Sequence, residues 1–74
     1  MRRVPVQSGE LVSVGYDETE SALEVELIGG TVRLYFDVPQ SVFEGLIVTQ
    51  QAGGNVGMYF DVRVNQGGFR YLEI

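Results

Sequence analysis

LEVELIGGTVRLYF, residues 23–36, decides how this chain folds, because two runs of alternating apolar and polar residues flank the pair Gly29 and Gly30. Glycine tolerates the positive φ values of a tight primed turn, so the stretch reads as a β-hairpin with the two glycines at its tip. The period of two puts Leu23, Val25, Leu27, Val32, Leu34 and Phe36 on one face, which is the expected core face. With Gly29 and Gly30 as the central residues, the ladder pairs Ile28 with Thr31, Leu27 with Val32, Glu26 with Arg33, Val25 with Leu34 and Glu24 with Tyr35. Apolar residues then meet apolar ones and Arg33 meets an acid.

At 74 residues the chain is one domain, 1–74, with a thin core. Its composition is 45% hydrophobic without cysteine, so neither disulfides nor thiolate metal sites supplement that core, and association is the expected supplement. The net charge of -5 argues against a general nucleic-acid binder, since non-specific affinity for phosphate backbones comes from clustered Lys and Arg. All five basic residues are Arg, which suits bidentate contact with carboxylate or phosphate. There is no His, the commonest general base and metal ligand. No signal-like start and no apolar run of membrane-spanning length is present, so a cytoplasmic protein is expected, with no membrane partner.

Before the hairpin, Pro5 limits the segment around Val4 and Val6 to a short edge strand, and residues 11–16 read as a further strand in which Gly15 marks a bulge or a close approach. DETES at 17–21 is a solvated acidic turn, without the oxygen-ligand alternation and Gly of a calcium loop. After it, Val38 before Pro39 stays extended and Pro39 is expected as the first helical residue. Val42, Phe43, Leu46, Ile47 and Gln50 form a helical stripe, which predicts a helix over 39–51 covering the sheet; Gly45 weakens it by about 1 kcal/mol relative to Ala. QQAGGNVG at 50–57 ends the helix in a loop. Met58, Phe60, Val62 and Val64 alternate with Tyr59, Asp61 and Arg63, which reads as a strand; NQGG then turns the chain so that 69–74 returns as its partner. That second hairpin places Val64 opposite Phe69 and Val62 opposite Tyr71, but also Arg63 opposite Arg70. The competing reading keeps the sheet and replaces this hairpin with a short helix around 59–64.

VGYD at 14–17, LYFDVPQSVFEGL at 34–46 and GMYFD at 57–61 are similar to the KTSC domain family, named after the lysyl-tRNA synthetase C-terminal region. The resemblance covers nearly the whole chain and rests on the order and spacing of the motifs. Members are small bacterial and phage domains without an established function, for which RNA binding has been suggested. The chain departs from the family pattern at two points. Arg33, Leu34 and Tyr35 stand where a Tyr-x-Tyr is expected, and VRVNQGG stands in place of a more basic segment; the closing pair of aromatics survives as Phe69 and Tyr71 around Arg70.

These readings give an α+β fold, an antiparallel sheet of about four or five strands in a meander with one helix packed on one face. No His, Cys or metal cluster completes a catalytic set around paired carboxylates such as Glu24 and Glu26, and the loop at 52–57 lacks the Lys of a phosphate loop, so no catalytic residue, metal or cofactor is expected. The expected function is a non-catalytic interaction module that binds a protein partner or itself through edge strands around Val4 and Tyr71. The alternative, from another class, is a site for RNA or a phosphorylated small molecule built from Arg33, Arg63 and Arg70 with Tyr35, Tyr59 or Tyr71. Its motive is the Arg-only basic set and an Arg63–Arg70 pairing that a bound anion would relieve.

Overall fold

The computed structural model describes residues 3–6 and 8–74. It contains β1 (Arg3–Pro5), β2 (Leu11–Asp17), β3 (Ala22–Leu27), β4 (Val32–Tyr35), α1 (Gln40–Gln51), α2 (Val56–Phe60) running into a π-helical segment (Asp61–Asn65), and β5 (Tyr71–Glu73). The strands form one antiparallel sheet in the order β1-β2-β3-β4-β5, so the fold is α+β as expected, with a second helix.

The central hairpin forms, but its register differs by one residue from the expected one. Leu27 donates its N–H to the Thr31 carbonyl (2.8 Å), and the Leu27 carbonyl accepts from Gly30 (3.1 Å), so the loop holds Ile28, Gly29 and Gly30 rather than two glycines alone. Both glycines lie at positive φ, 99° and 95°, which L-residues adopt only at a cost. The observed pairs are Leu23 with Tyr35, Glu24 with Leu34, Val25 with Arg33 and Glu26 with Val32. A slip of one residue turns every side chain of β4 over. Arg33 and Tyr35 therefore share a face with Leu23 and Val25, whereas Val32, Leu34 and Phe36, expected in the core, point the other way. The expected Glu26–Arg33 pair does not form.

The helices cover the face carrying Val14, Tyr16, Leu23, Val25 and Tyr35. The Phe43 ring of α1 stacks on Tyr16 (centroids 5.5 Å apart), and Phe60 of α2 meets Tyr35 edge-on at 5.9 Å. Val38, Val42, Leu46, Val56 and Val64 complete the core, with Val6 and Leu11 closing it near β1. Leu11 reaches this face because β2 carries a bulge between Leu11 and Ser13, not at Gly15. Gly15 is a close approach instead. It sits opposite Arg3 on one side and Glu24 on the other, and the ion pair between those two spans the bare backbone of β2. Asp37, at φ 57°, turns the chain from β4 toward α1, and the Tyr16 hydroxyl pins that turn by donating to the Val38 carbonyl. Pro39 holds the N-cap position, one residue before the first helical turn.

The expected strand at 58–64 is helical, so the final hairpin does not exist and the competing helical reading of that segment holds. Val56, Phe60 and Val64 follow the i, i+4, i+8 spacing of a helix stripe, and all three are buried, while Met58 and Val62 of the apparent alternation are exposed. Asn55 selects the helix by capping it, its Oδ1 accepting from the Met58 N–H at 2.9 Å. Gly45, which costs α1 helix propensity, makes room for this element: a Cβ there would lie 1.7 Å from the Tyr59 hydroxyl. The tail 71–73 pairs with β4 instead of with 58–64.

Asn55→Ala is expected to lower unfolding free energy by about 1 kcal/mol in chemical denaturation, the usual cost of losing an N-cap. A change within about 0.5 kcal/mol, as for a plain surface substitution, would show that the Asn55 side chain does not hold the helix.

Candidate functional site

Of the six residues expected to bind a ligand, the structure brings Arg33, Tyr35 and Tyr71 together and sends the other three elsewhere. The β4 register points Arg33 and Tyr35 to the helix side, and the β4–β5 register sets Tyr71 opposite Tyr35 and Glu73 opposite Arg33. The guanidinium of Arg33 lies over the Tyr71 ring, 4.9 Å from its centroid. Its Nε donates to Glu73 Oε1 at 3.2 Å, and its Nη1 donates to the Tyr35 hydroxyl at 3.3 Å. That hydroxyl in turn donates to Oδ1 of Asn65 at 3.4 Å, at the end of the π-helical segment, and the Tyr35 and Tyr71 rings stand 5.1 Å apart. The bond to Tyr35 raises the Arg33 pKa above its ordinary value; desolvation opposes the rise, and the bond to Glu73 adds to it.

Beside this cluster lies a cleft of about 280 Å³, lined by Gly9, Glu10, Leu27, Ile28, Arg33, Phe60 and Asn65. Arg33 has five N–H donors and spends two of them on Glu73 and Tyr35 among the described residues. What the arrangement can do is hold one carboxylate or phosphate, a place that Glu73 fills in this structure. Sequence reading missed Asn65 and Glu73 as parts of the cluster; Glu73 carried a signal, being two residues from Tyr71 and so on the same strand face.

Arg63 and Arg70 are not side by side. Arg63, on the π-helical segment, lies 5.9 Å from the Tyr59 ring centroid, and Tyr59 is packed against α1 at Gly45 rather than displayed on a strand. Arg70 is on the opposite face of the sheet, over Phe36 at 5.1 Å. The like-charge pairing that motivated an anion site across Arg63 and Arg70 is therefore absent.

The sheet face away from the helices divides in two. On β1–β3 it is polar: Arg3 pairs with Glu24, its Nη1 approaches Glu26 at 3.6 Å, and Ser13 donates to Glu26 at 3.0 Å. On β4–β5 it is apolar. Val32, Leu34 and Phe36 form a strip with Leu72 and Ile74, which are 57% and 72% exposed.

A five-strand antiparallel sheet, whose last strand returns after the helices to pair with β4, with those helices on one face, defines a small two-layer α+β domain, and comparison with known proteins places it. The sequence matches the KTSC domain family over residues 7–67, and the chain belongs to that family. The crystal structure of a KTSC domain protein from Yersinia pestis superposes with a TM-score of 0.80 at 28% identity, covering 99% of this chain and 96% of that one. A protein of Tsukamurella paurometabola is 37% identical over 46 residues, which are 62% of this chain and 69% of the relative. An uncharacterized protein of Stutzerimonas stutzeri is 43% identical over 47 residues, 64% of this chain and 66% of the relative.

Tyr35→Phe removes the hydroxyl that joins Arg33 to Asn65 and is expected to cost about 1 kcal/mol in urea denaturation with an unchanged slope. A loss within about 0.5 kcal/mol would mean the hydroxyl links nothing of consequence.

Proposed function

We propose that the protein is a non-catalytic interaction module that binds protein, and that its first partner is a second copy of itself. The observation that carries this reading is the apolar strip in which half-buried Val32, Leu34 and Phe36 lead to exposed Leu72 and Ile74 at the edge of the sheet. An apolar area on one face of so small a domain marks a contact surface. Self-association suits it for two reasons. A core of this size gains from additional buried surface, and closed symmetric dimers are the commonest oligomers. The net charge of -5 does not oppose it locally, because the side chains that β5 and its two flanking residues present on this face are Arg70, Leu72 and Ile74, with the acids on β3 already facing Arg3.

The anion reading narrows to Arg33 alone, with Tyr35, Tyr71 and Asn65 around it. A single guanidinium already bonded to a carboxylate suits a compact anion better than an RNA strand.

Sedimentation velocity over a concentration series decides. Wild-type protein is expected to dimerise reversibly, and Leu72→Asp, with an unchanged far-ultraviolet spectrum, to remain monomeric. A wild type that stays monomeric throughout contradicts the reading. A melting-temperature rise with phosphate, nucleotides or short RNA that is lost in Arg33→Ala would put the anion reading in its place.

A further inference from the structure

The sheet has two edges, and the backbone of each shows whether it can accept another strand. On β1 the Val6 N–H donates to the Val12 carbonyl at 3.1 Å and Val4 pairs with Val14. Hydrogen-bonded pairs alternate along an antiparallel ladder, so the outward-turned backbone of β1 belongs to Arg3 and Pro5. Proline has no N–H, so of the two outward-turned residues of β1 only Arg3 offers a donor, and this edge is blunted.

On β5 the Phe36 N–H donates to the Arg70 carbonyl and the Ile74 N–H donates to the Val32 carbonyl, both at 2.8 Å. Leu72 pairs with Leu34 between them. Arg70, Leu72 and Ile74 thus turn their backbone toward β4, and Tyr71 and Glu73 turn theirs outward. Each outward residue offers one N–H and one C=O, and no proline interrupts them.

Resting on the self-association proposed above, we infer that two copies join through β5, antiparallel, with Leu72 on the twofold axis. This register uses every outward-facing backbone group of the strand. Tyr71 of one copy and Glu73 of the other exchange both N–H···O=C bonds, and the axis repeats the exchange, giving four bonds and one continuous ten-stranded sheet. Leu72 then faces Leu72 of the second copy as the closer, non-hydrogen-bonded type of pair, and Ile74 lies opposite Arg70. These contacts fall on Leu72 and Ile74, the two most exposed residues of the apolar strip. On the other face, Glu73 of the second copy lands across from Tyr71, whose ring carries the Arg33 guanidinium. Arg33 has donors left for that carboxylate, so each Arg33 bridges its own Glu73 and the incoming one.

The test uses the full chain as wild type, Glu73→Ala and Glu73→Pro. Proline at 73 deletes an outward N–H and no bond to β4, whereas alanine keeps the N–H and deletes only the carboxylate. Sedimentation is expected to show Glu73→Pro dimerising at least about tenfold more weakly than Glu73→Ala, since two backbone donors are lost per dimer. In wild type, amide exchange at Tyr71 and Glu73 is expected to slow as concentration rises, while Leu72 and Ile74 are protected throughout. Equal dimerisation of the two variants, with Tyr71 and Glu73 amides unprotected at high concentration, overturns the edge pairing and leaves self-association standing. A wild type that is monomeric at every concentration overturns both.

Discussion

The turn at Ile28, Gly29 and Gly30 governs the rest of the molecule because it sets which side of β4 faces the helices. Two consecutive residues at positive φ make the three-residue loop accessible, and the ladder it starts puts Tyr35 opposite Leu23 under Phe60. Replacing either glycine with an L-residue would charge that conformation roughly 1–2 kcal/mol. Everything on β5 inherits the choice, since Tyr71 and Glu73 are aligned to Tyr35 and Arg33 by the next ladder. Had the loop closed on two residues, Arg33 would have met Glu26 on the polar face, and Val32, Leu34 and Phe36 would have been buried.

The hairpin was legible in the sequence, and its register was not. Strand β4 is apolar on both faces, with Val32 and Leu34 on one and Tyr35 on the other, so either register buries a hydrophobic set. The first helix was legible because Val42, Phe43, Leu46 and Ile47 fit only a helical period. Residues 56–64 fit two periods at once. Met58, Phe60, Val62 and Val64 alternate as in a strand, while Val56, Phe60 and Val64 repeat as in a helix, and the cap at Asn55 decides between them. The Arg63–Arg70 juxtaposition was itself a sign against the hairpin: two like charges placed side by side by a register count against that register before they count for a bound anion. The candidate site was half legible for the same reasons. Arg33, Tyr35 and Tyr71 converge, but through β5 pairing with β4 and not through the expected second hairpin.

The two faces of the sheet follow from one another. The helices occupy the side on which β2, β3 and β4 present Tyr16, Leu23, Val25 and Tyr35, and the strip on the reverse is what the remaining alternate positions of β4 and β5 must display. On the first three strands the reverse face is polar because Arg3 and Glu24 meet over Gly15. The apolar half therefore begins where the hairpin register changes the identity of the outward residues. In this way a backbone turn at one end of β3 determines a surface at the far edge of the sheet.

The register is measured directly by nuclear Overhauser contacts between α-protons, which are short only across non-hydrogen-bonded antiparallel pairs. The Leu27–Thr31 bond makes Glu24–Leu34 and Glu26–Val32 pairs of that kind, so strong Hα–Hα contacts are expected between those residues. Strong contacts between Val25 and Leu34 and between Leu27 and Val32 would mean a two-residue turn, a buried Leu34 and no apolar strip, and would contradict the account.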